Sequence, residues 1–197
     1  HIVKKIADRL LKLKNEDFDK YTKLWDAIKP YIEYGCLKDQ KFYDRAKDTV
    51  LLKKTDGAYT SLTELLQDGE NETKVYYTTD AQQQSYYVNL FADKGIAVYV
   101  LDIALDTQFA SFVESKNEKL KFLRVDSSLE EISGSAEESE KLVGLFTAAT
   151  GKEKDKLSFV AMAETDAPVL IRCNEEERRF ADMMRMYASI TGELGAN

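Results

Sequence analysis

Ala97 to Leu101 reads Ala-Val-Tyr-Val-Leu, an almost unbroken apolar run. A strand with one wet face would alternate, so this run fits a strand covered on both faces, as in a parallel sheet flanked by helices. Its neighbours agree. Val75-Tyr-Tyr-Thr-Thr79 is rich in β-formers, and Phe122-Leu-Arg-Val125 is a third strand candidate. Between the first two, Asp80 and Gln83 have capping-box spacing and Tyr86, Tyr87, Leu90 and Phe91 give a helix that ends at Lys94-Gly95. Between the last two, residues 106–116 carry Phe109, Phe112 and Val113 at helical spacing. Strand, helix, strand, helix, strand predicts a small parallel sheet with right-handed crossovers.

The segment before it reads as helices. Ile2, Ile6, Leu10 and Leu13 recur on one face. Tyr21, Leu24, Trp25 and Ile28 form a second pattern, expected to end near Pro30, with a turn around Gly35. Residues 39–52 predict a third helix, Asp56-Gly57 a tight turn, and Ser61-Leu-Thr-Glu64 the start of a short helix.

Residues 126–140 are polar, acidic and Ser-rich, which marks a boundary between domains. Beyond it, Leu142 to Ala149 suggests a helix that stops at Gly151, and 157–163 and 169–173 suggest a hairpin. Asn174 and Glu177 then open a last helix, to about Ile190.

Charge and motif content exclude several functions. The chain has 197 residues and a formal net charge of −7, which argues against a nucleic-acid partner. No apolar run is long enough to span a bilayer, and no signal peptide is visible. The opening on His1 rather than Met reads as the boundary of a piece. Cys36 and Cys173 match no metal spacing and read as free thiols of a reducing compartment. The single histidine is terminal, which removes His-based triads and zinc sites. Six residues separate Gly144 from Gly151-Lys152, and Glu153 follows, so a phosphate loop is not formed. No Gly-rich turn follows a strand, so the sheet has no dinucleotide fingerprint. Glu175-Glu-Glu-Arg-Arg179 is expected as a solvated helix face.

The last helix asks for more. Phe180, Met183, Met184 and Tyr187 share a face, with Met186 at its flank. Met-rich surfaces adapt to varied apolar partners. The same stripe could instead pack on the hairpin before it, and the pattern alone favours that.

Five segments resemble the ninety-kilodalton heat-shock chaperone family, in its bacterial HtpG type: HIVKKIADRLLKL, FYDRAKDTVLLKKTDG, KVYYTTD, KGIAVYVLDIALDTQF and FLRVDSSLEE. They follow the family's order. The resemblance implies an α/β fold (α+β overall): a helical coil over 1–70, a small three-layer α/β/α unit with a short parallel sheet over 71–126, a linker at 127–140, and a helix–β-hairpin–helix segment over 141–197. The first two would form the later part of a middle domain, and the last the start of a C-terminal domain, truncated before the dimerisation helices.

The implied function is client binding and inter-domain coupling in an ATP-dependent chaperone of the cytoplasm. ATP, magnesium and the homodimer would belong to the parent protein, and this piece would itself be no enzyme and hold no cofactor or metal. Expected partners are unfolded or partly folded proteins and co-chaperones, with neither membrane nor nucleic acid. By position, the client-contact residues would be Phe180, Met183, Met184, Met186 and Tyr187, together with Phe109 and Phe112. Some bacterial relatives carry Trp at the position of Gln108, and here the aromatic falls one place later, at Phe109. Two rivals stay open. One is an enzyme using the carboxyl edge of the sheet near Thr79-Asp80 and Asp102 to Asp106. The other is a spacer with a buried Met stripe.

Overall fold

The computed structural model describes residues 2–66, 71–129, 132, 134–135, 144–145, 147–149, 160–161 and 175–191. Three helices open it: α1 (Ile2–Glu16), α2 (Phe18–Lys38) and α3 (Gln40–Ala46). A 3-10 turn (Lys47–Thr49) leads into the antiparallel pair β1 (Leu51–Lys53) and β2 (Tyr59–Ser61), closed by α4 (Leu62–Leu66). Then come β3 (Thr73–Thr78), α5 (Ser85–Asp93), β4 (Val98–Val100), α6 (Ala104–Lys116) and β5 (Leu120–Arg124). Short strands β6 (Gly134–Ser135) and β7 (Val160–Ala161) pair antiparallel, and α7 (Glu175–Thr191) follows.

The predicted parallel sheet is present, in the order β4-β3-β5 with both pairings parallel. Alternation along β3 sorts its side chains between two cores. Val75 and Tyr77 join Tyr99, Phe109, Val113 and Phe122 in the cluster that also holds the coil residues Tyr21 and Trp25. Tyr76 points the other way, to Val88, Phe91, Val98 and Val125. The sheet is thus wet on neither face, as the apolar run of β4 requires. Gly95 ends the turn after α5 at φ +71, a conformation that side chains with a Cβ disfavour.

Both outer edges of the sheet are engaged. On the β4 side, Thr55 N–H donates to Val98 O at 2.9 Å, and Lys54 bridges to Tyr99. On the β5 side, Leu120 N–H reaches Asn117 O at 2.9 Å and Phe122 N–H donates to Glu114 Oε1 at 2.6 Å. Phe122 O accepts from Arg179 Nη2 at 2.6 Å, and Ser127 N–H donates to Arg124 O at 3.0 Å.

Three expectations need correction. First, α2 does not end at Pro30 but runs on to Lys38. Proline removes one donor, yet the buried stripe Trp25, Ile32 and Cys36 continues across it, and packing outweighs the lost bond. Second, Gly35 lies inside α2 rather than in a turn. A Cβ there would sit 2.6 Å from Phe42 Cε1, so glycine is needed for the close approach of α3. Helix termination falls instead to Asp39, whose N–H meets Gly35 O at 3.0 Å while its carboxylate accepts from Lys41 N–H at 2.8 Å to open α3. Third, the helix expected over 39–52 stops at Ala46, where the Thr49 hydroxyl donates to Ala46 O at 2.6 Å. Leu51 and Leu52 then pair as a strand.

Gly35→Ala tests the second point. Alanine favours helix by about 1 kcal/mol, but overpacking against the buried Phe42 costs about 1–3 kcal/mol. Chemical denaturation should show a net loss of stability.

In the expected linker, Ser128 and Leu129 are buried and attached to the α/β unit. Val160–Ala161 pairs with Gly134–Ser135. The expected partner strand at 169–173 and most of 130–143 lie outside the described residues.

Candidate groove between the sixth and seventh helices

Helix α7 lies beside the α/β unit and is tied to it by ion pairs. Arg179 places Nη1 2.7 Å from Glu114 Oε2, 3.1 Å from Ser111 Oγ, and Nη2 on Phe122 O. Arg124 grips Asp126 with Nε and Nη2 at 2.8 and 2.7 Å, and its Nη1 lies 3.7 Å from Asp182 Oδ2 on α7. Burial disfavours the charged form of Arg124, but Asp126 and Asp182 outweigh it and raise its pKa. Arg178, only 6% exposed, lies 3.7 Å from Asp126. The expectation that 175–179 is a solvated face therefore fails at Arg178 and Arg179, whose carboxylate partners lie on the α/β unit. Nothing in the local charge pattern marks this, because those partners are more than fifty residues away.

A groove of 960 Å³ remains between α6, α7 and the carboxyl edge of the sheet. On the α7 wall Phe180 and Met183, 60% and 53% exposed, stand among Arg179, Asp182 and Arg185. The other wall is mainly polar, formed by Ala104, Thr107, Gln108 and Ser111 of α6. Met184 and Tyr187 are also exposed, though neither lines the groove. The side chain of Met186 lies outside the described residues. The buried Met stripe of the spacer reading does not match Met183 and Met184.

The aromatics of α6 are placed differently from those of α7. Phe109 is 6% exposed and belongs to the main core. Phe112 is half-buried, edge-on to Tyr43 with ring centroids 5.0 Å apart. Both turn toward the helical coil, so a partner in the groove meets Gln108 instead of Phe109. A shift of one residue moves a helical side chain by about 100°, enough to carry the aromatic from groove to core.

The carboxyl edge of the sheet is open to this groove, but its charged groups hold the local structure. Asp80 accepts from Gln82 and Gln83 N–H at 2.9 and 3.0 Å, Asp106 is buried beside Lys29, and Arg124 is bound to Asp126. Gln84 links Thr78 Oγ1 to Asp126. Among the described residues no cluster of three His, Cys, Asp or Glu could hold a metal ion. Cys36 is buried, which pushes its thiol up to about 12 and leaves it protonated and unreactive at neutral pH.

No family model matches the chain. Among solved structures, the middle domain of a Plasmodium falciparum heat shock protein is similar, with a TM-score of 0.50 over 64% of this chain and 55% of that one. At 20% identity this likeness concerns the fold: a helical coil and an α/β unit of the heat-shock middle-domain class. Sequence carries the rest. The chain is 34% identical to the chaperone protein HtpG of Porphyromonas gingivalis and 29% identical to that of Bacteroides thetaiotaomicron, each over 98% of its length. It belongs to the ninety-kilodalton heat-shock chaperone family, in its bacterial HtpG form. The chain spans 32% of the length of those two relatives. Among the described residues no helix is long and apolar enough to cross a membrane.

Proposed function

We propose that this chain contributes a client-holding surface to an ATP-dependent chaperone, with the groove between α6 and α7 receiving apolar segments of partly folded proteins. The observation that carries this is the exposure of Phe180, Met183, Met184 and Tyr187 on one helix beside a groove with a mainly polar far wall. Contiguous apolar surface of this kind is costly to leave in water and commonly marks an interaction site. Met adapts to different side chains, while Gln108, Thr107 and Ser111 offer hydrogen bonds to an extended backbone. No covalent chemistry is needed. In this reading ATP and magnesium act elsewhere in a longer, cytoplasmic, dimeric protein, and co-chaperones are its further partners. Phe109 and Phe112 then act indirectly, by holding α6 on the coil.

The test is a Phe180→Ser, Met183→Ser double variant probed with a reduced, carboxymethylated unfolded protein. Losing two exposed anchors should weaken binding about tenfold or more. Stability should stay within roughly 0.5 kcal/mol per site, as for other surface positions. Unchanged binding would reject the groove and favour the spacer. A stability loss of about 2 kcal/mol or more would place the stripe in the core instead.

A further inference from the structure

Two carboxyl groups face one another across the seam between the helical coil and the α/β unit. Glu33 comes from α2 and Asp106 from the first turn of α6, and they are 4% and 1% exposed. Asp106 Oδ2 is engaged twice, by Lys29 Nζ at 2.8 Å and by Ile103 N–H at 3.2 Å. Among the described residues, neither Asp106 Oδ1 nor Glu33 Oε2 receives a hydrogen bond from an N–H or a hydroxyl.

Two buried carboxylates in that state would suffer twice, from mutual repulsion and from oxygens stripped of water without a donor. A single proton cures both, because a carboxylic acid donates where a carboxylate only accepts. The surrounding charges fit that count. From α2 come Lys29 and Cys36, the latter a neutral thiol. From the loop before α6 comes Asp102, 3.7 Å from Lys29, with a side chain 60% exposed. Asp26 and Lys53, at the rim of the adjoining 230 Å³ cavity, pair with each other at 2.9 Å. One half-buried cation, Lys29, therefore stands against two buried acids.

We propose that Glu33 and Asp106 share one proton, and that this acid–carboxylate pair, closed by Lys29, clamps α2 to the first turn of α6. Glu33 is the proton's holder. Burial first, and then Asp106, push its pKa up to about 9. Burial raises Asp106 as well, but Lys29 counteracts it, so Asp106 is the carboxylate that accepts. Glu33 is thus a positioning residue. It acts through Asp106, which also receives the N–H of Ile103 and so sets where α6 begins.

A folded-state pKa of about 9 against an ordinary 4.5 means that the proton's contribution to stability is complete below about 4.5. It declines as pH rises between the two values and is gone above the higher one.

The experiment uses the full chain. The Glu33 side-chain carboxyl is followed by carbon-13 NMR against pH, and chemical denaturation is repeated across the neutral and alkaline range for wild type and Glu33→Gln. The Glu33 resonance should titrate well above neutrality. The Gln variant should keep neutral-pH stability, since its amide donates to Asp106 in the proton's place. It should also lose about one proton's worth of the slope of stability with pH. A Glu33 midpoint in the ordinary carboxylate range overturns the proposal, as do parallel pH curves for the two proteins. The titration needs no variant, so it decides even if Glu33→Gln fails to fold. Neither readout involves the groove, so the clamp and the client surface stand or fall separately.

Discussion

Replacing Phe91 by Ala should lower the unfolding free energy by about 3–5 kcal/mol, a large part of the total for a chain of this size. Phe91 is fully buried on the outer face of the sheet, 4.8 Å from Tyr76 between ring centroids and packed with Val88, Val98 and Val125. That cluster is the smaller of the two, with five buried members. Two of these sit on strands, two on α5 and Val125 in the turn just after β5, so one deletion opens a void that rigid backbone cannot close. Calorimetry or urea unfolding reads the effect. A cost under about 1 kcal/mol would mean that α5 is not held by this face.

The second large effect is expected at the seam between α7 and the α/β unit. Arg179→Ala removes the guanidinium that bonds Glu114, Ser111 and the carbonyl of Phe122. Glu114, only 15% exposed, would keep the N–H of Phe122 but lose its counterion. Leaving such a group unmatched costs about 2–4 kcal/mol. The loss should appear as opening of α7: its amides should exchange roughly 30- to 1000-fold faster while β3 keeps its protection. Salt should produce a weaker version of the same change, since the pairs at Asp182 are partly exposed. Unchanged exchange in α7 would show that its docking rests on other contacts.

What could be read in advance had local causes. The sheet was legible because strand alternation, the cap at Ser61 and the stop at Gly95 are written within a few residues of where they act, whereas Asp80 closes the turn at 81–84 and α5 opens only at Ser85. The run through Pro30 was not, because a helix breaker was overruled by packing with elements distant in sequence. Gly35 gave a turn signal although its role is steric, set by Phe42 on the next helix. At the groove, the apolar face of α7 was legible from spacing, while the assignment of Phe109 was not. Arg178 and Arg179 look solvated in isolation and are half-buried or buried beside partners that the chain reaches only after folding. One signal was present and passed over. Lys29 and Glu33 fall on the same stripe of α2 as Trp25, Ile32 and Cys36, where a charged pair in an apolar face points to a buried counter-charge.

The engaged edges of the three-stranded sheet carry a further consequence. An exposed strand edge is a template on which another extended chain can add itself by backbone pairing, without regard to sequence. Here that route is obstructed at β4 by Lys54 and Thr55, and at β5 by Asn117, Glu114, Arg179 and Ser127. A protein that meets partly folded chains at close range, with their own strands unpaired, would otherwise risk being incorporated into their aggregates. In the proposed reading, the caps on the β5 edge leave recognition to the groove, where contact is reversible and does not propagate.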